Sequence, residues 1–146
     1  MKENVVFEKS KDFAIRIVNL YRYLCDNKKE YVLSKQILRS GTSIGANIAE
    51  SECAISKKDF LSKLYIALKE TSETLYWLEL LYKTEYIDKQ MYESMYRDGE
   101  EIKRILQAST KTISAEMWNI MGSLIQFHFP LSTFQIIKKG FSYEQN

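Results

Sequence analysis

The stretch Leu33–Glu52, LSKQILRSGTSIGANIAESE, decides the fold. Leu33, Ile37, Ile44 and Ile48 recur at helical spacing, while Ser40, Gly41, Thr42, Ser43, Gly45 and Ala46 crowd the middle turns. Each glycine inside a helix costs about 0.5–1 kcal/mol relative to alanine. A helix carrying two must recover that loss in packing. Gly41, Gly45 and Ala49 recur every fourth residue and so share one face. That pattern predicts close approach of a second helix at the level of the backbone, in a tightly packed bundle. It predicts no chemistry by itself.

Three further helices follow on either side. The first is expected from about Ser10, read as its N-cap, to about Asp26, with Phe13, Ile17, Leu20 and Leu24 as one stripe. Ala14, Val18, Tyr21 and Cys25 form a second stripe beside it. Asn27 to Glu30 make a polar connection into the small-residue helix, which ends near Cys53. Ser56 followed by Asp59 fits a capping box and starts the third helix, whose Leu61, Leu64, Leu68, Thr71, Leu75, Leu78 and Tyr82 alternate at heptad spacing. Asp88 caps the fourth, in which Tyr92, Met95, Gly99, Ile102, Leu106, Ser109 and Ile113 repeat that spacing. The fold class is all-α: an antiparallel up-down four-helix bundle over 1–113, followed by an apolar extension over 114–146.

Composition agrees. The 146 residues hold one proline, Pro130, and 45% hydrophobic residues including ten tyrosines, enough for a real core. A net charge of +2 argues against strong overall attraction to nucleic acid but leaves room for a local basic face. Cys25 and Cys53 form neither a disulfide framework nor a CxxC pair and are read as buried free thiols. The first residues lack a signal-peptide core, which points to the cytoplasm. His128 is the one histidine, so neither a di-iron site of paired Glu-x-x-His elements nor a Ser-His-Asp triad has its parts. No Walker or Rossmann glycine pattern is present. No catalytic residue, metal ligand or cofactor is assigned.

In the extension, Met117, Ile120, Met121, Leu124 and Phe127 are spaced for a short amphipathic helix before Pro130, and Leu131 to Ile137 reads as strand or coil. The run is too short to span a bilayer. Docking on the bundle, a subunit contact, a membrane surface and a changed reading frame all stay open for it.

Gln36-Ile-Leu-Arg-Ser-Gly-Thr-Ser-Ile-Gly-Ala-Asn-Ile-Ala-Glu50, Ser56-Lys-Lys-Asp-Phe60, Ile66-Ala-Leu-Lys-Glu70 and Glu73-Thr-Leu-Tyr-Trp-Leu-Glu-Leu-Leu81 closely resemble, in order and spacing, the bacterial four-helix-bundle proteins encoded within intervening sequences of 23S ribosomal RNA genes. The resemblance runs over about residues 4 to 113. More distantly, the chain is similar to the accessory variability protein of diversity-generating retroelements, whose bundles form a pentamer that engages a reverse transcriptase and RNA. The resemblance implies a homo-oligomer, a pentamer, with RNA or a reverse transcriptase as partner, and implies no established activity. Its polar motif positions fall on Arg39, Asn47, Glu50, Asp59, Glu70 and Glu73.

The residues themselves suggest two kinds of site. Gly41, Gly45, Asn47, Glu70, Glu73 and Trp77 are candidates for helix packing or a subunit interface. Arg39 or Asn47 is expected to pair with Glu70 or Glu73 between helices or subunits. Tyr65, Ile66, Tyr76 and Trp77 lie off the leucine seam and favour self-association. Lys35, Arg39, Lys57 and Lys58 are candidates for contact with nucleic acid. Arg97, Lys103, Arg104 and Lys111 are interleaved with Glu93, Asp98, Glu100 and Glu101 and read as a solvated face. The expected function is a non-enzymatic oligomeric scaffold that binds RNA or an RNA-associated protein. The alternative is a folded product of an intervening-sequence reading frame with no dedicated ligand.

Overall fold

The computed structural model describes residues 2–128, with side chains over 5–123. Four helices succeed one another: α1 (Lys2–Lys28), α2 (Leu33–Ser51), α3 (Lys57–Lys83) and α4 (Lys89–His128). The chain divides between Thr110 and Lys111 into two units, and the bundle belongs to the first.

Pairings between helices fix the topology. Arg39 meets Glu70 and Glu73, whereas Glu50, further along α2, meets Lys63 nearer the start of α3. Gly41 packs on Ile17, and Gly45, further along, packs on the earlier Ser10. Arg16 pairs with Asp98 and Lys9 with Glu101; Leu75 sits against Gly99 and Tyr82 stacks on Tyr92. In every case one number rises as its partner's falls, so each helix runs antiparallel to two neighbours, giving the expected up-down bundle. Phe13, Ile17, Leu24, Ile37, Ile44, Leu78, Leu81, Ile102 and Leu106 are fully buried between them.

The small-residue patch works as a socket for side chains. A Cβ on Gly41 would lie 2.7 Å from Ile17 Cγ1 and 2.8 Å from Cγ2; one on Gly45 would lie 3.1 Å from Ser10 Oγ. At Gly41 the approach is of α2 backbone onto an α1 side chain, a knob in a hole, whereas at Gly45 a Cβ would also come within 3.7 Å of the Ser10 backbone carbon, the close helix approach that the spacing suggested. Gly99 repeats the device on α4, where a Cβ would come 2.7 Å from Leu75 Cδ2. Beside the patch, buried Thr74 hydrogen-bonds Ser40 Oγ at 2.9 Å across the α2–α3 seam.

The predicted caps of the last two helices are present. Ser56 Oγ accepts from Asp59 N at 3.1 Å, and Asp88 Oδ1 accepts from Met91 N at 2.8 Å. Asp59 accepts in return from Ile55 N rather than Ser56 N, a box shifted by one residue. α2 starts differently. Glu30, buried and preceding the helix, accepts from the backbone N–H groups of Val32, Leu33 and Ser34. Burial alone would raise the pKa of that carboxyl, but those donors outweigh it and hold the group below its ordinary range.

Three expectations change. Ser10 is no cap: α1 begins a further two turns upstream, Val6 joins the core, and buried Ser10 donates to Phe7 O at 2.7 Å. Cys53 is exposed and Cys25 only half-buried, so neither is a core thiol. α4 does not stop at Ile113 but runs on to His128. In that second unit Trp118, Ile120 and Met121 are exposed. Leu131 to Ile137 lies outside the described residues. Among those described, no helix is long and apolar enough to cross a membrane.

Candidate interface on the α2 and α3 face

Where α2 and α3 lie side by side, their outward edges bring most of the candidate residues together. Arg39 sends one guanidinium nitrogen to Glu70, at 3.3 Å, and the other to Glu73. Both acids are on α3 a turn apart, and Trp77 one turn further donates its indole N–H to the same Glu73 oxygen at 3.1 Å. Arg39 foremost, then Trp77, holds Glu73 below the ordinary carboxylate range. Arg39 itself is 51% exposed, so the cluster is a surface feature rather than a buried charge.

Apolar groups adjoin it. Ile66 lies one turn before Glu70 and is exposed, as are Tyr65 and Tyr76; the Tyr76 ring meets Trp77 edge-on at 5.0 Å. On the α2 side the surface is low. Ser43 donates to Arg39 O at 2.7 Å and Asn47 to Ser43 O at 2.9 Å, so both polar side chains fold back on their own helix. Asn47 consequently does not take part in the α2–α3 pairing. Gly41 and Gly45 face α1 and stand apart from this surface.

The four nucleic-acid candidates are not brought together in one copy. Lys35 and Arg39 lie toward the start of α2, whereas Lys57 and Lys58 open α3 at the opposite end of the antiparallel pair, roughly 25 Å away along the axis at 1.5 Å per residue. Arg39 is already engaged by two carboxylates. On α4, Lys103 pairs with Glu100 at 3.7 Å and Arg104 Nε donates to Glu100 O at 3.4 Å, as a solvated face would. Among the described residues no three His, Cys, Asp or Glu side chains are grouped to hold a metal ion. Glu30 was invisible to sequence reading, because a glutamate two positions before the cap residue fits no capping pattern.

No curated protein matches the chain. A crystal structure of a protein of unknown function from the S23 ribosomal protein family of Bacteroides thetaiotaomicron VPI-5482 is similar, at 60% sequence identity and a TM-score of 0.75, over 76% of this chain and 99% of that one. The family model for the 23S rRNA-intervening sequence protein matches residues 2–108, the region that builds the bundle. By that match over most of its length, the chain belongs to the 23S rRNA-intervening sequence protein family.

Proposed function

We propose that this protein is a non-enzymatic, self-associating bundle scaffold of the cytoplasm, and that the α2–α3 face is where copies meet. The observation that carries the reading is the exposed Ile66, Tyr65 and Tyr76 beside an ion cluster whose charges are largely satisfied within the chain. Apolar area gives a second copy something to bury, and Arg39 between two carboxylates fixes the geometry of the surface before contact. The carboxylates that metal or acid–base chemistry would call on are paired: Glu70 and Glu73 with Arg39, Glu50 with Lys63. Family resemblance implies five copies in the assembly.

Sedimentation velocity at micromolar concentration tests this directly. The wild-type chain is expected to run as an oligomer and Ile66→Asp as a smaller species with an unchanged helical circular dichroism spectrum. A monomeric wild type would end the proposal and favour a folded chain without a dedicated ligand.

RNA is the second reading, favoured by exposed Lys35, Lys57 and Lys58 and by the family to which the chain belongs. Because these bases lie at two ends of the helix pair, a continuous positive surface would need several copies side by side. RNA affinity should then fall steeply with salt, and Ile66→Asp, which loses the side-by-side contacts, should lose it. Affinity independent of salt would count against phosphate contact.

A further inference from the structure

We infer that two copies of the chain also pair end to end through the turn between α2 and α3, each inserting Ile55 into a cleft beside the other's turn. The cleft has a volume of about 410 Å³ and a floor of buried Val6, Ile48, Leu64 and Leu106. Ile55 stands between Ala54 and Ser56, which both line the cleft, yet it points away and is 95% exposed. An apolar knob and an apolar hole thus sit next to each other on one surface. Neither can satisfy the other within the chain, but a two-fold axis satisfies both at once, since an isologous contact repeats every pairing twice.

Charge selects the occupant. Glu52 and Lys57 stand on the rim, three residues before and two after Ile55. Two copies of the turn related by a two-fold axis run antiparallel, which brings Glu52 of each toward Lys57 of the other. A rim with both signs suits this self-complementary partner better than an anionic amphiphile, which would meet Glu52 as well as Lys57. The surface differs from the α2–α3 face, so this contact stands or falls apart from the proposal above.

The test is sedimentation velocity of five full-length variants beside the wild type. Ile55 is almost wholly in water, so Ile55→Asp should leave folding intact and halve the mass of the assembly. Ile66→Asp should remove the side-by-side contacts and leave dimers joined at their ends. Glu52→Lys and Lys57→Glu should each weaken the end contact, and the two together should restore it. If Ile55→Asp leaves the mass unchanged while Ile66→Asp lowers it, the end contact is overturned and the side face survives. A charge swap that fails to restore association overturns the antiparallel arrangement of the turns.

Discussion

The two sides of α2 are held by opposite kinds of force. Toward α1, Gly41 and Gly45 leave a socket filled by Ile17 and Ser10, both fully buried, where fit is decided within tenths of an ångström. Toward solvent, on the same helix just before Gly41, Arg39 bridges to α3 through charges that water reaches. Shape decides on the first side, since close-packed atoms have nowhere to go. On the second, exposed ion pairs are worth about 1 kcal/mol or less, and their geometry matters more for what the surface presents than for stability. A helix can thus be fixed to the fold by one face and offer another to partners.

The sharpest break of this contrast is Gly41→Val. Its first added carbon alone would sit 2.7 Å from Ile17 Cγ1 and 2.8 Å from Cγ2, and a β-branched neighbour has little rotamer freedom with which to yield. Urea unfolding is expected to show a loss of about 3 kcal/mol, the upper part of the range for overpacking. Gly45→Ala is the control on the same stripe. Its Cβ meets one hydroxyl at 3.1 Å, and its better helix propensity offsets the crowding, so stability should stay within about 1 kcal/mol of wild type. Equal stability for both variants would remove the socket from the account of the fold.

Glu30 joins the two kinds of force, being a charge that is buried. Glu30→Ala strips three backbone N–H groups at the start of α2 of their acceptor and is expected to lose about 1–2 kcal/mol at neutral pH. The sign of its pH dependence follows from its lowered folded pKa. The stabilisation is fully present above the unfolded carboxyl range and drains away as pH falls through the lower folded value. Stability curves for wild type and Glu30→Ala should therefore converge in acid. Parallel curves down to the acid limit would mean that the carboxylate is not what the three donors hold.

The bundle was legible because its signals are periodic. Leucine seams, two caps and the spacing of Gly41 and Gly45 each repeat a rule that one chain can display unaided. Three features that the sequence left open share a different cause. Ser10 resembles a cap only until Gly45 is known to lie across from it, where a small hydroxyl fits the core. Gly99 occupied an ordinary seam position in the sequence, and its role depends on Leu75 from another helix. Lys35 and Lys57 share a charge but not an end of the bundle, a fact that topology alone supplies. On the candidate interface, the aromatic surplus of α3 was readable, whereas the pairing of Arg39 with both acids, without Asn47, rested on distances between helices.

The mildest change sharpens the comparison most. Arg39→Met keeps an apolar stem while removing the charge, and on the solvent side of α2 this should cost about 1 kcal/mol or less. The stronger effect should fall on Glu73. Without the guanidinium, that carboxyl keeps only the Trp77 indole as donor and faces Glu70 across one helical turn, so its pKa should climb back toward the ordinary carboxylate range, visible by NMR titration. Because the depressed folded value is what stabilises Glu73 above the unfolded carboxyl range, the variant's stability should also depend less on pH in acid. A loss as large as that of Gly41→Val would place Arg39 among the structural determinants of the bundle. A small loss together with a changed assembly mass would instead assign the arginine to the surface that copies share.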